Sequence, residues 1–303
     1  MSETEIHRSG YVAIVGRPNV GKSTLLNDLL GEKISIVSRR PQTTRNRVAG
    51  IYNRADAQVV FIDTPGIHEA HKLLNKRMVD AAISALGDVD VVLFMIEAGR
   101  DTDPQRDAAL LSRLVETGLP ILLVPNKIDT IRKEQLLPLL ESWSAAANFH
   151  DIVPISAMKG DGVGALLGAI VKLLPEGPAY FPKDQLTDVS ERFVVSEMIR
   201  EQVFRYLDKE IPYSTAVEIE EFVEGKDIVR IMARIWVERD SQKGIVIGKK
   251  GAMLGRIGTS ARLQVEKLLQ TKVYLKITVG VRKDWTTNKR FVDQLGNFRE
   301  GQS

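Results

Sequence analysis

Cysteine and long apolar runs are both absent from this sequence, and each absence excludes a class of protein. Without cysteine the chain has no disulfide, no zinc–thiolate site and no catalytic thiol. No apolar run approaches the roughly 20 residues that a transmembrane helix requires. The first nine residues are polar and charged, unlike a signal peptide. We therefore expect a cytoplasmic protein, and we leave open a peripheral contact with the cytoplasmic face of the cell membrane.

The length and the distribution of proline predict two domains. A chain of 303 residues is long enough for two domains that each bury a core. Three prolines fall within residues 175–182, which favours a semi-rigid connection over a helix or a central strand. We predict a first domain at 8–175, a linker at 176–189, a second domain at 190–293 and a tail at 294–303.

The clearest motif of the first domain is the glycine-rich segment GRPNVGKS, from Gly16 to Ser23. It follows an apolar run typical of a buried strand and precedes leucines at helical spacing. A GxxxxGK[ST] motif binds phosphate in this context of strand, loop and helix. Backbone N–H groups and the helix N-terminus attract the phosphates, Lys22 reaches the terminal ones, and the Ser23 hydroxyl is placed for Mg²⁺. The segment predicts a nucleotide site.

Two further segments supply candidate groups for the metal and the γ-phosphate. The arginine-rich stretch 38–47 has no apolar periodicity, so we predict a loop whose threonine hydroxyl binds the metal, from Thr44 or alternatively Thr43. The strand predicted at 59–62 ends on the sequence DTPG. Its acid, Asp63, suits a metal site, and Gly66 lets a backbone N–H approach the γ-phosphate.

The tetrapeptide NKID, after the next predicted strands, selects the base. Asn126 can bond the imidazole-ring edge of a purine, and Lys127 can pack over the base. Asp129 can accept hydrogen bonds from N1–H and the 2-amino group, a donor pair that guanine has and adenine lacks. Adenine would leave this carboxylate without a partner, at a cost large enough to exclude ATP. A later strand leads to Ser156 and Ala157, whose backbone N–H we place at the guanine carbonyl.

The two halves of the chain differ in the order of their elements. Strands and helices alternate through the first half, which predicts an α/β fold with a mostly parallel doubly wound sheet and ligands at the strands' carboxyl ends. Beyond the linker we predict a smaller α+β domain: a helix at 190–209, strands at 214–223 and 227–238, a glycine-bounded loop, a second helix and a final strand.

That loop, Gly248-Lys249-Lys250-Gly251, points to single-stranded nucleic acid. Glycines at both ends let a nucleic-acid backbone come close, and the lysines can neutralise phosphates. Residues 241–290 contain 12 Lys or Arg against 2 Asp or Glu, whereas residues 191–240 contain 8 against 12. We predict an RNA site that consists of Val246, Ile247, Gly248, Lys249, Lys250, Gly251 and Arg256.

The motifs GRPNVGKS, DTPG, NKID and SA, with PQTTRNR and the chain downstream, resemble the Era family of GTPases that carry a C-terminal KH domain. The resemblance covers about Tyr11 to Asp293. It implies a P-loop GTPase domain followed by a type II KH domain, and hydrolysis of GTP to GDP with Mg²⁺. It also implies binding of the KH domain to the 3′ end of small-subunit ribosomal RNA and a role in maturation of the small ribosomal subunit. We expect a monomer, and no DNA partner.

Predicted roles in the nucleotide site follow the motifs. The predicted catalytic residues are Lys22, Ser23, Thr44, Asp63 and Gly66, and the predicted metal ligands are Ser23, Thr44 and Asp63. The predicted nucleotide contacts are Gly16, Arg17, Pro18, Asn19, Val20, Gly21, Lys22, Ser23, Thr24, Asp63, Thr64, Pro65, Gly66, Ile67, Asn126, Lys127, Asp129, Ser156 and Ala157.

Two residues bear on the rate of hydrolysis. Ras-like GTPases orient the attacking water with a glutamine after the DxxG glycine. This sequence has Ile67 there, whose side chain neither donates nor accepts a hydrogen bond, so we expect slow intrinsic turnover. Related potassium-activated GTPases carry an asparagine at the position of Asn19, which makes K⁺ a further candidate cofactor.

The sequence is also compatible with a second function. The chain can be a GTPase signalling switch that couples to the cell cycle or metabolism, with a basic half that contacts anionic lipid or a protein effector. Lipid phosphates and RNA phosphates both attract lysine and arginine, so charge alone does not separate the two functions.

Overall fold

The computed structural model describes residues 7–37, 48–63, 85–99, 102–288 and 291, and these form two units. The first unit contains residues 7–32 and the described residues from 48 to 188. The second contains residues 33–37 and the described residues from 189 onward. Within the described part of the chain, no helix is long and apolar enough to cross a membrane.

The first unit is a six-stranded sheet with helices, in the strand order β2-β3-β1-β4-β5-β6. All neighbouring pairs are parallel except β2 and β3, which are antiparallel. The mostly parallel sheet predicted from the alternating elements is therefore confirmed. The elements are β1 Arg8–Gly16, α1 Lys22–Leu30, β2 Val48–Asn53, β3 Ala57–Asp63, β4 Val91–Glu97, α2 Ala108–Glu116, β5 Ile121–Asn126, α3 Lys133–Ser144, β6 Asp151–Ile152 and α4 Val163–Leu173.

The central strands of this sheet are buried along most of their length. Strands β3 and β5 have no half-buried or exposed residue, as expected of parallel strands covered on both faces. Trp143 of α3 is fully buried and packs edge-on against Phe94 of β4, with ring centroids 5.6 Å apart. This packing fixes the strand ends from which the predicted motifs extend.

Residues 176–188, within the predicted linker, group with the first unit and are hydrogen-bonded to its sheet. The Ile51 N–H donates to the Leu186 carbonyl at 2.9 Å, and the Ala49 N–H donates to Asp188 Oδ1 at 3.0 Å. The side chain of Gln58 accepts from the Phe181 N–H at 2.9 Å. These bonds hold the proline-rich stretch along β2 and β3.

The second unit contains a three-stranded sheet in the order β7-β8-β9, with β7 and β8 antiparallel and β8 and β9 parallel. Its elements are α5 Glu191–Tyr206, β7 Ala216–Glu224, β8 Ile228–Val237, α6 Asp240–Ile247, α7 Ala252–Leu269 and β9 Lys272–Val281. The predicted order of helix, two strands, loop, helix and strand is confirmed. Helix α6, which leads into the loop, was not predicted.

Candidate functional site

The loop between β1 and α1 requires both of its predicted glycines. A Cβ atom on Gly16 would lie 2.3 Å from the Met95 carbonyl oxygen, and one on Gly21 would lie 2.1 Å from Asn126 Nδ2. Gly21 is also the N-cap of α1, where it has φ of 106° and provides no side-chain cap. An anion at this helix N-terminus can therefore take the place of a capping side chain.

Lys22 is a buried cation directly under this loop. Only 6% of the surface of this residue is exposed to solvent. Its Nζ donates to the carbonyl oxygens of Gly16 and Arg17, both at 3.0 Å. Desolvation by burial lowers the pKa of Lys22 from 10.5 to about 8, against the opposing effect of the Asp63 carboxylate. A negatively charged ligand at the loop would relieve that cost.

Asp63 and Ser23 meet beside the lysine. The parallel register of β1 and β3 places Asp63 opposite Ile14, so the acid reaches the loop that follows β1. Asp63 is fully buried, and Ser23 Oγ donates to its Oδ2 at 2.8 Å. Together they present a carboxylate and a hydroxyl at the end of the glycine-rich loop between β1 and α1.

Asn126, at the end of β5, joins two of the predicted motifs. Its Nδ2 donates to the Val20 carbonyl at 2.7 Å, and its Oδ1 accepts from the Ala157 N–H at 2.9 Å. The side chain is therefore a structural bridge between the loop and the segment after β6. The Ala157 N–H, which we assigned to the guanine carbonyl, donates to Asn126 here, and its contact with guanine stays a prediction.

Lys127 and Asp129, which follow β5, each have a side chain held by a polar partner. Lys127 has a left-handed backbone with φ of 65°, and its Nζ pairs with Glu97 at 2.7 Å. Asp129 Oδ1 accepts from Ser156 Oγ at 2.7 Å, so the serine fixes the orientation of the carboxylate. Neither pairing could be predicted from the sequence, since the partners are 30 and 27 residues apart.

The other predicted residues of the nucleotide site divide into two groups. Arg17 contacts Asp107, with Nε donating to Oδ1 at 2.5 Å, and Asn19 is exposed with a left-handed φ of 66°. Pro18 and Thr24 are half-buried. The predicted site residues Thr44, Thr64, Pro65, Gly66 and Ile67 lie outside the described residues.

The loop of the second unit lies between α6 and α7. Gly248 has φ of 71°, and a Cβ atom there would lie 2.7 Å from Met253 Cβ. Lys249 and Lys250 are both exposed. Val246 is fully buried and holds the preceding turn in the core, whereas Ile247 is half-buried. The loop thus presents two cations on a backbone that only glycine allows to turn so tightly.

Arg256 is exposed on α7, and an aromatic ring of α5 fixes it. Its guanidinium lies 4.7 Å from the ring centroid of Tyr206. The Tyr206 hydroxyl is in turn 2.8 Å from Ser260 Oγ. Sequence reasoning missed Tyr206, since it lies 50 residues away from Arg256 and a single tyrosine carries no motif.

Comparison with known proteins gives matches for both units. A family described as 50S ribosome-binding GTPase matches residues 11–127, and the KH domain family matches residues 210–286. The GTPase Era of Geobacter metallireducens is 54% identical over 95% of this chain and 97% of its own.

Two solved structures are also similar along nearly the whole chain. One is Era of Aquifex aeolicus, as a variant bound to GDP and AlF4⁻, with a TM-score of 0.91 and 41% identity over 95% of this chain and 99% of its own. The other is Era in complex with MgGDPNP and nucleotides 1506–1542 of 16S ribosomal RNA. It has a TM-score of 0.91 and 41% identity over 96% of this chain and 99% of its own.

Proposed function

The chain belongs to the GTPase Era family, and we propose that it is a GTP-hydrolysing switch that binds the 3′ end of small-subunit ribosomal RNA. In this proposal the second unit binds the RNA, and the protein assists maturation of the small subunit in the cytoplasm. The observation that carries the proposal is the Era complex that contains both MgGDPNP and a segment of 16S ribosomal RNA. The two halves of this chain offer one site for each.

The phosphates of GTP are assigned to the loop that ends at Ser23. A Cβ atom on Gly16 or Gly21 would collide with Met95 or Asn126, so only glycine lets the loop take this path, with its backbone N–H groups available to phosphate oxygens. Lys22 supplies a buried positive charge. Burial of this charge is unfavourable without an anion, and bound phosphates would stabilise it. This arrangement favours tight nucleotide binding over an empty site.

The residues at this loop fit Mg²⁺. Ser23 and Asp63 offer hard oxygen donors side by side, the donor type that Mg²⁺ prefers. Thr44 is the third predicted ligand. When bound, Mg²⁺ neutralises the charge on the phosphate oxygens during transfer. The chain itself orients Asp63 through the Ser23 hydroxyl.

The base is assigned to the loops after β5 and β6. Ser156 holds the Asp129 carboxylate in place by a hydrogen bond, which leaves the carboxylate's remaining lone pairs to accept from N1–H and the 2-amino group of guanine. The Lys127 stem would pack over the ring. Asn126 keeps the two loops together through its bonds to Val20 and Ala157.

We expect K⁺ to accelerate hydrolysis. Asn19 is exposed on the phosphate loop with a left-handed backbone, where its carbonyl oxygen can bind a monovalent cation next to the phosphates. The measurement is single-turnover hydrolysis by the wild type and by Asn19→Ala, in K⁺ and in Na⁺ at equal ionic strength. Acceleration by K⁺ that is lost in Asn19→Ala supports the assignment, and equal wild-type rates in the two salts remove K⁺ from the mechanism.

The RNA is assigned to the groove bounded by α6, the Gly248–Gly251 loop, α7 and β9. Helices α6 and α7 both pack against β9, which is an edge strand. KH domains hold about four unpaired nucleotides in such a groove. Gly255 of α7 has open space around its would-be Cβ, so the protein gives up helix stability there. We assign the open space at this glycine to a closely approaching RNA backbone.

Reversing the charge of the loop is expected to abolish RNA binding. The variant Lys249→Asp/Lys250→Asp places two negative charges where phosphates would bind. For single-stranded RNA, each lost phosphate contact reduces the slope of log affinity against log salt concentration by about 0.7. The measurement is the affinity for a short unpaired RNA as a function of salt. The control is Lys226→Asp, an exposed lysine in the turn between β7 and β8, which should bind RNA like the wild type.

The same variants decide between RNA and the membrane alternative. Vesicles that contain phosphatidylglycerol replace the RNA, at the same salt. Loss of RNA binding with vesicle binding unchanged favours the ribosomal function. If the loop variant loses vesicle binding and keeps its affinity for RNA, the signalling function with a peripheral membrane contact replaces the one proposed.

A further inference from the structure

The open face of the sheet in the second unit carries an aromatic residue surrounded by cations. Helices cover one face of this sheet, where the alternate residues of β8 are buried. On the other face Tyr274 of β9 is 52% exposed. The register of β8 and β9 places Arg230 directly opposite Tyr274. Lys272 and Lys276 lie two residues away on either side of Tyr274, on the same face.

This cluster also has exposed apolar residues beside it. Ile228 stands opposite Lys272, and Val223 of β7 stands opposite Arg230. Both are among the large apolar side chains left exposed. Three exposed apolar or aromatic side chains close together on one face are the kind of patch that marks a binding surface. We call Arg230, Lys272, Tyr274 and Lys276, with Ile228 and Val223, the Tyr274 platform.

Two of the three cations of the platform have no ion-pair partner in the described part of the chain. Among the described residues, neither Arg230 nor Lys276 forms an ion pair. Lys272 is near Glu266, and Glu221 lies on the same face opposite Met232. Glu266 therefore partly compensates Lys272, and Arg230 and Lys276 are the cations of the platform best suited to a negatively charged ligand.

At the far end of the same sheet face, the polar and charged side chains pair with one another. Trp236 Nε1 donates to Glu218 Oε2 at 2.7 Å, and Arg234 pairs with Glu220 at 2.8 Å. The ring of Phe291 packs against Trp236, with centroids 5.9 Å apart. The sheet face therefore has a closed end and an open, basic end, and only the open end is suited to a ligand.

We propose that the Tyr274 platform is a second RNA-binding surface, on which one base stacks on Tyr274 while Arg230 and Lys276 contact the adjacent phosphates. An exposed aromatic ring among cations is how proteins bind unpaired strands, because every base has a face that can stack. The inference rests on the proposed RNA-binding function. It extends that function to a site outside the groove.

The position of the platform makes one continuous RNA path possible. Strand β9 is the edge of the sheet, with the groove on its helix side and the platform on its open side. An RNA longer than the roughly four nucleotides of a KH groove must leave the groove somewhere. A strand that passes over the edge of β9 reaches Tyr274 directly.

The test compares a short RNA that fills only the groove with longer RNAs that extend the same sequence by about ten nucleotides on either side. The full-length chain is used, with a non-hydrolysable GTP analogue. Tyr274→Ala is expected to lower the affinity for one of the longer RNAs by about 5- to 100-fold and to leave the short RNA unaffected. Tyr274→Phe keeps the ring and should bind like the wild type.

A charge variant gives an independent result. Arg230→Gln/Lys276→Gln should reduce the salt slope for the same longer RNA by about 1.4, with no change for the short RNA. The matched control is Lys133→Gln, an exposed lysine at the start of α3 in the first unit. Thermal unfolding of every variant should equal that of the wild type, since the substituted side chains are exposed.

Three results overturn the inference. If Tyr274→Ala leaves every RNA unaffected, the lysines only protect an edge strand from pairing with other chains. Equal losses for the short and the longer RNAs would show an effect on the groove instead. Loss of binding to phosphatidylglycerol vesicles alone would assign the platform to lipid. A wild type that binds no RNA at all contradicts the proposed function itself, which separates the two failures.

Discussion

Changing Asp129 to Asn is expected to lower the affinity for GTP by about 10³- to 10⁵-fold and to create binding of xanthosine triphosphate. The carboxylate accepts from two guanine donors, and an asparagine turns one acceptor into a donor that faces another donor. Xanthine has a carbonyl in place of the 2-amino group, which restores the pairing. Ser156 still orients the residue, because the side-chain oxygen that accepts from its hydroxyl remains.

The measurement is a competition between GTP and xanthosine triphosphate for the wild type, for Asp129→Asn and for a control. Asp184→Asn removes an exposed carboxylate of the segment beside β2 and should leave the preference for guanine unchanged. Unchanged selectivity for GTP in Asp129→Asn would remove the base assignment, whatever happens to the rate of hydrolysis.

Changing Lys22 to Met is expected to lower the affinity for GTP by at least about a hundredfold and to stop hydrolysis. Methionine keeps much of the side-chain volume but loses the charge that would meet the phosphates. In the nucleotide-free protein the same change should leave the stability equal or raise it, because burial already disfavours the charged lysine. Lys133→Met, at an exposed site at the start of α3, is the control.

Opposite effects on stability and on binding separate a binding role from a structural one. Thermal unfolding is measured without nucleotide, and the affinity for GDP is measured by calorimetry. A Lys22→Met protein that is strongly destabilised without nucleotide would show that the lysine holds the loop together through its bonds to Gly16 and Arg17. Full GTP affinity in this variant would exclude Lys22 from the phosphate site.

The pKa of Lys22 gives a second reading of the same contact. Without nucleotide the pKa is about 8, and the phosphates should raise it. The contribution of Lys22 to the affinity is then complete below pH 8 and is lost as the pH rises through the raised value. Binding at pH 8 should take up about half a proton, which calorimetry in two buffers of different ionisation enthalpy measures. Lys22→Met should abolish the uptake.

The positions of the candidate nucleotide-site residues in the fold were largely predictable because their motifs are local. Each motif follows a strand with a continuous apolar run, and parallel strands deliver their carboxyl ends to one edge of the sheet. The contacts that orient the motifs were not predictable. Asn126 bonds Val20, 106 residues earlier, and Ser156 bonds Asp129, 27 residues earlier. Only the tertiary fold brings such partners together.

Strand β2 and helix α6 were not predicted, and for both the reason is that tertiary packing overrides local preference. Strand β2 contains Gly50, which looks like a strand breaker in the sequence. A Cβ atom there would lie 2.5 Å from Leu26 Cδ1 and 2.6 Å from Leu30 Cδ1, so the glycine is required by the approach of α1. Helix α6 contains Gly244 and ends in Ile-Val-Ile, a pattern that favours a strand.

A GTP-hydrolysing switch that binds RNA requires that the nucleotide state of the first unit change the RNA affinity of the second. The most direct test measures the affinity of the full-length chain for the 3′ end of small-subunit ribosomal RNA, once with GDP and once with a non-hydrolysable GTP analogue. We predict binding in at least one state and a difference of about fivefold or more between the states. Equal affinities in both states, or no binding in either, would contradict the claim.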